Sequence, residues 1–327
     1  TCALPICVFY VERDQAGQNL LYPSHFYHAE SGVAARLLAL ARQPASLRMA
    51  EPETLLDQLT AADGLKLAPA QRQAVLAAAK SGVAIITGGP GTGKTTTVRS
   101  LLQLYTALGL RFVLAAPTGR AAKRLAETTG YEAKTIHRLL EFGFSGGSPA
   151  FQRHADNPLD TDAVVVDETS MVDLLLFHNL LKAIAPGTRL VLVGDADQLP
   201  SVGSGNVLRD LIAARIIPTI RLNVVFRQAE ASLIVVNAHR INQGELPLLP
   251  SGDKDFYFIP REEPEKVAEE VVELVTARLP RYLACDPIED IQVLTPMRRT
   301  ITGVENLNQL LQDRLNPAAP GRAEMRY

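Results

Sequence analysis

Residues 88 to 98 read GGPGTGKTTTV and follow directly on the apolar run VAIIT. The spacing G-x-x-x-x-G-K-[ST] puts Gly88, Gly93, Lys94 and Thr95 in the register of a loop that cradles phosphates. Backbone N–H groups converge on a polyphosphate only through conformations that side chains obstruct. Gly88, Gly89, Gly91 and Gly93, with Pro90 and Thr92 between them, suit such a loop. Lys94 supplies a point charge for the β- and γ-phosphates, and the Thr95 hydroxyl a ligand for Mg²⁺. The stretch from Gly88 through Thr96 therefore reads as a site for ATP and Mg²⁺.

Further carboxylates close another apolar run, VVVDETS at 164 to 170. Carboxylates at the C-terminal end of a parallel strand lie where α/β sheets bind ligands. Asp167 is the candidate to hold Mg²⁺ and Glu168 to act as general base on water; an ordinary strand followed by an acidic helix start is the alternative. In VGDADQLPSVGSG, Gln198 has an amide that both donates and accepts, fit to sense a γ-phosphate or the attacking water. FRQ, at 226 to 228, offers Arg227 as a cation reaching the γ-phosphate across a cleft, with a surface arginine as the alternative. Gln71 precedes the phosphate loop, and a side-chain amide can pair with the N6 and N7 edge of adenine. Thr118 and His137 are polar positions near element ends, where a structural histidine reads equally well.

The elements that position these groups follow from hydrophobic period. VAIIT, FVLAA, AVVVD and LVLVG are apolar throughout, as strands buried on both faces are, and each is followed by polar loop residues and an amphipathic segment. Val98, Leu101, Leu102, Tyr105 and Leu108 recur at helical spacing, so the loop opens a helix whose positive end faces the phosphates. The expected fold class is α/β, a P-loop NTPase with a parallel sheet and helices on both faces. Residues 1–64 read as the tail of an N-terminal helical module. Residues 65–217 read as the first αβ unit, and 218–327 as a partial second one with strands at DFYFI and IQVLT. FGFSGGSPAF, at 142 to 151, reads as a loop.

The whole chain has 327 residues, enough for about two domains, and a formal net charge of −2, so no global basic footprint. A nucleic-acid partner requires a local patch. Residues 111 to 138 offer one, with Arg111, Arg120, Lys123, Arg124, Lys134 and Arg138 against Glu127 and Glu132; a solvated helix face is the bland alternative. No apolar run approaches the roughly 20 residues that span a bilayer. Cys2, Cys7 and Cys285 form no metal spacing and no even disulfide set, and a reducing cytoplasm is the expected compartment. The apolar start without a basic leader reads as a trimmed terminus.

Taken in order, QRQAV, GGPGTGKTTT, APTGRAAKRL, TIHRLL, VVVDETSMVD, VGDADQLPSVGSGNVL and FRQ resemble the motifs of superfamily 1 helicases, and among them the RecD-like branch related to the exonuclease V alpha subunit. The resemblance runs from about residue 67 to 315. It implies that 65–217 is a first RecA-like motor domain and 218–327 a partial second one, and an ATP-dependent 5′-to-3′ DNA helicase, with Gln71 on adenine, Asp167 and Glu168 on Mg²⁺ and water, Gln198 coupled to the γ-phosphate and Arg227 across the cleft. Pro117, Thr118, Arg120, Lys123, Thr135 and His137 would contact single-stranded DNA. Duplex junctions and other recombination or repair subunits are the further partners implied. The branch continues past the motifs present here, so the chain is expected to be a fragment. A P-loop ATPase acting on RNA or remodelling proteins, or a nucleotide-gated DNA-binding subunit without turnover, are the competing readings.

Overall fold

In the computed structural model, residues 9–13, 17–42, 51–145, 148–223, 232–249 and 255–317 are described. The chain divides into two compact units, Thr1–Leu248 and Leu249–Tyr327.

The first unit opens with β1 (Phe9–Arg13) paired antiparallel to β2 (Asn19–Pro23), then α1 (Ser24–Arg42), α2 (Pro52–Ala62) and α3 (Pro69–Lys80). There follow β3 (Val83–Thr87), α4 (Lys94–Ala107), β4 (Phe112–Ala116), α5 (Gly119–Thr129), β5 (Ala133–Thr135) and α6 (Ile136–Leu139). A hairpin of β6 (Phe142–Ser145) and β7 (Ser148–Phe151) leads to β8 (Ala163–Val166), α7 (Leu174–Lys182), β9 (Arg189–Gly194), α8 (Val207–Ala214) and β10 (Thr219–Arg221). Six strands form one parallel sheet in the order β10-β3-β9-β8-β4-β5.

The four expected strands are β3, β4, β8 and β9, and alternate residues serve opposite faces, as the pleat dictates. Val83, Ile85, Val164, Val166, Leu190 and Leu192 pack under α1, α6 and α7. Ala84, Ile86, Ala163, Val165, Val191 and Val193 pack under α3 and α4. Each fully buried valine, leucine or isoleucine among them contributes about 1.5–3 kcal/mol.

Three segments take places in the fold that the sequence did not show. The segment read as the tail of an N-terminal helical module packs on this unit: Val33, Leu37 and Leu40 of α1 cover one sheet face, and Leu56 of α2 joins the other core. The boundary expected at residue 218 falls inside the unit, because β10 pairs with β3, Ile220 opposite Ile86, and extends its sheet. The 142–151 loop is a hairpin, with Phe142 opposite Phe151 and the two rings 4.9 Å apart; aromatic cross-strand pairs outweigh the glycines.

In the second unit, helices Pro264–Glu273 and Val304–Leu315 pack together, and Glu270 ties Arg261 and Arg278, each at 2.6 Å. The expected strands at DFYFI and IQVLT carry no ladder among the described residues. An extended run becomes a strand only where a neighbour accepts its backbone hydrogen bonds.

Candidate nucleotide-binding site

The loop between β3 and α4 adopts the conformation its glycines permit. Gly91 and Gly93 have φ of 73° and 78°, and Gly93 in this left-handed state caps α4. Gly88 answers a different constraint: a Cβ there would lie 2.6 Å from the Thr92 hydroxyl and 2.9 Å from the Leu222 carbonyl oxygen. Thr92 braces the loop by donating to the Gly89 carbonyl at 2.8 Å. The Lys94 ammonium donates to the carbonyls of Gly88 and Gly89 and so stays curled over the loop.

Gln71 is buried and works at both ends. Its Oε1 accepts from the Ala68 N–H at 2.9 Å, closing the N-terminus of α3, and its Nε2 donates to the Gly93 carbonyl at 3.3 Å. The predicted adenine contact thus also anchors the phosphate loop.

Beyond β8, Asp167 accepts the Glu168 N–H at 2.9 Å. Glu168 sits in the left-handed region at φ 51°, a conformation that costs a residue with a Cβ roughly 1–2 kcal/mol. The turn is held from below, where Thr169 donates its hydroxyl to the Val166 carbonyl at 3.1 Å. It is crowded from the side as well: a Cβ on Gly194, at the end of β9, would approach the Thr169 nitrogen to 3.2 Å. Strained backbone at the end of a central strand is where function is worth seeking. Glu168 Oε2 is buried without a hydrogen-bond partner among the described residues. Burial raises the pKa of both carboxyls; Asp167 pushes Glu168 up further, and Lys94 and Arg124 pull both down. Gln198 reaches toward the buried Asp195, its Nε2 3.4 Å from Oδ2.

One cavity of about 560 Å³ gathers these groups. Gln71, the loop from Gly89 through Thr96, Asp167, Glu168 and Gln198 all line it, and Gly88 is the residue before the lining loop. Arg227 lies outside the described residues. Sequence reasoning missed the contribution of α5, which presents Ala121, Arg124, Leu125 and Thr128 to the same cavity. The i, i+3, i+4, i+7 spacing of those four was the available signal. His239, on helix Leu233–Asn242, was missed too; its ring stands 3.1 Å from where a Gly89 Cβ would be.

The residues assigned to single-stranded DNA gather less tightly. Lys123 and Thr135 line a second groove of about 410 Å³ with Lys134, Arg138, Glu132 and Glu141. Thr118 and Thr135 use their hydroxyls as helix caps, accepting from the N–H of Ala121 and Arg138, each at 3.2 Å. Arg120 is exposed on the first turn of α5 and Pro117 precedes it. His137 packs against Phe142 and Phe151, with ring centroids at 5.6 and 5.8 Å. Two members of the basic stretch face elsewhere. Arg111 is paired with Asp160 and Asp162 at 2.9 and 3.3 Å, and Arg124 faces the first cavity.

Among the described residues no helix is long and apolar enough to cross a membrane. Residues 66–253 match the AAA domain family. The ATP-dependent RecD2 DNA helicase of Deinococcus radiodurans is 37% identical over 96% of this chain and 41% of its own length. The RecBCD enzyme subunit RecD of Mycobacterium tuberculosis is 38% identical over 75% of this chain and 46% of its own. That of Haemophilus influenzae is 43% identical over 43% of this chain and 26% of its own. The chain spans less than half the length of these curated relatives. With a phosphate loop on a parallel sheet, strand-end carboxylates beside it and these similarities, the chain belongs to the AAA domain family as a RecD-like member.

Proposed function

We propose that this chain is motor machinery of an ATP-dependent DNA helicase that moves 5′ to 3′ along single-stranded DNA. The observation that carries the reading is the convergence of Lys94, Thr95, Asp167, Glu168 and Gln198 on one cavity, a size that suits a small ligand. The Thr95 hydroxyl and Asp167 carboxylate are hard oxygen donors of the kind Mg²⁺ takes, with remaining positions left to phosphate and water. Mg²⁺ when bound supplies charge neutralisation along the triphosphate. Gly88 through Thr96 bind and orient the phosphates, and Gln71 reads adenine. Glu168, its Oε2 unbonded and its pKa raised, accepts the proton of the attacking water. Gln198 reports the state of the γ-phosphate to the neighbouring loop, and Arg227 supplies charge from across a cleft.

In this reading Pro117, Thr118, Arg120, Lys123, Thr135 and His137 contact the strand, and Leu249–Tyr327 belongs to a second motor half. Duplex junctions are the substrate and recombination or repair subunits the partners, as the names of the relatives suggest. The test measures ATP hydrolysis with single-stranded DNA, RNA or neither, then strand displacement on 5′-tailed and 3′-tailed duplexes. Stimulation by DNA and preference for the 5′ tail are expected. Equal stimulation by RNA, or turnover indifferent to nucleic acid, would overturn the DNA motor; a 3′ preference would overturn the direction.

A further inference from the structure

The helix α5 carries three faces. Ala122, Leu125 and Thr129 are buried toward the sheet. Arg120, Lys123 and Glu127 form an outer charged face, with Lys123 and Glu127 paired at 3.9 Å. Between these, Ala121, Arg124 and Thr128 line the nucleotide cavity. Of the three, Arg124 alone brings charge, and it is not spent on an ion pair with any described carboxylate, whereas Arg111 at the far end of the same basic stretch is fully tied.

Where the Arg124 charge acts follows from the sheet. Strand β8, which runs into Asp167 and Glu168, pairs with β4, which leads into α5, and the Asp167 N–H donates to the Ala115 carbonyl of β4 at 2.9 Å; Lys94, Arg124, Asp167 and Glu168 line one cavity. Lys94 belongs at the β- and γ-phosphates by its place in the loop. A cation that lines the cavity with Lys94 and these carboxylates, yet comes from a different helix, faces the same end of the triphosphate. Guanidinium is well suited to that position, because its planar fork binds phosphate oxygens bidentately.

We propose that Arg124 is a γ-phosphate ligand, contributed by the first unit itself, which distinguishes ATP from ADP in this cavity. The proposal rests on the nucleotide site proposed above. Neutral walls would hold both nucleotides alike; a cation placed at the last phosphate favours the triphosphate and, once the γ-phosphoryl has been transferred to water and has left as inorganic phosphate, has no partner on the ADP product.

The experiment is calorimetric titration of the protein, Arg124→Gln, Arg124→Lys and Lys94→Ala with Mg·ADP and with the Mg complex of the non-hydrolysable β,γ-imido analogue of ATP. Thermal melts of each variant check the fold; Arg124 is exposed, so the melts should coincide. Arg124→Gln should weaken the analogue about tenfold or more and leave ADP within about twofold. Arg124→Lys should fall between. Unchanged affinity for both ligands would overturn the proposal, and so would an equal loss for both, which would make Arg124 a brace for the loop or the carboxylates. Lys94→Ala separates the two levels: if it binds both ligands as the parent does, the nucleotide site is wrong; if it loses binding while Arg124→Gln shifts nothing, only the role of Arg124 is.

Discussion

The floor of the nucleotide cavity and the groove beside α5 are built from adjacent pieces of chain by opposite means. The floor is backbone. Gly88 fills space that no side chain could share, Gly91 and Gly93 hold left-handed turns, Gln71 and Thr92 pin the loop, and Glu168 is held in an unfavourable conformation by a turn packed against Gly194. The groove is side chain. Lys123, Lys134 and Arg138 stand exposed among Glu132 and Glu141, Lys134 on β5 and the other two on helices whose caps are supplied by Thr118 and Thr135. Rigid, desolvated placement suits charge stabilisation at reacting phosphates. An exposed, salt-screened surface suits a strand that must be gripped and released. The contrast predicts large, position-specific effects on the floor and small, salt-dependent ones in the groove.

The largest effects belong to Lys94 and Glu168. Lys94→Ala should weaken Mg·ATP binding and lower turnover by roughly 10²–10³-fold or more. Glu168→Gln should keep binding and lower turnover by about 10²–10⁴-fold. Equal loss of binding in the two variants would break the division of roles between the loop and the strand end.

Next come the glycines. Gly88→Ala drives a methyl group against the Leu222 carbonyl, backbone that cannot yield, and should cost about 1–3 kcal/mol of stability along with nucleotide binding. Gly89→Ala meets only the His239 ring at 3.1 Å, and a side chain can rotate away. Denaturant unfolding of the pair should rank Gly88→Ala as the less stable. The reverse order would mean that the floor is less rigid than its packing implies.

On the exposed face of α5 and in the groove beside it, Arg120→Ala and Lys123→Ala should each leave ATP binding unchanged. Each should also reduce the salt dependence of single-stranded DNA affinity, by about 0.7 in the log–log slope for every phosphate that the side chain neutralises. Slopes matching the parent in both would return the groove to an ordinary solvated surface.

The same contrast explains which parts were legible in the sequence. Strand, loop and carboxylate motifs are local in sequence, and their conformation follows from residue type, so Gly88 through Thr96 and Asp167-Glu168 stood out. Pairings that join distant segments leave no such trace. Arg111 counts toward a basic patch by its position in the chain, yet Asp162, 51 residues on, holds it in the fold. Arg124 counts toward the same patch although its helical neighbours Ala121, Leu125 and Thr128 mark a face turned to the nucleotide cavity. β10 is only Thr219–Arg221, too short for a period, and becomes a strand because the edge of β3 lies beside it. The runs DFYFI and IQVLT have the right composition for strands and, among the described residues, no neighbour to pair with.

The smallest effect sharpens the contrast most directly, because it asks whether burial of Glu168 has a measurable cost. Its pKa is raised, chiefly by desolvation and then by Asp167, so the native state holds the proton more tightly than the unfolded chain does. The sign of the linkage follows. This group contributes stability that is fully present below the ordinary glutamate pKa, near about 4.3, and is lost as pH rises through the raised native value. At pH 8 the parent therefore bears the full cost of an ionised carboxylate beside Asp167. Glu168→Gln removes that cost and retains the side-chain length and the left-handed backbone, whose strain is common to both proteins. Melted in magnesium-free, nucleotide-free buffer at pH 8, the variant should exceed the parent by about 2 °C, the shift expected for a fraction of a kcal/mol to one in a unit of this size. The gap should close toward pH 4, where both side chains are neutral. A gap that persisted at pH 4 would assign the gain to packing, and no gap at pH 8 would show that Glu168 is as well solvated as the carboxylates of the groove.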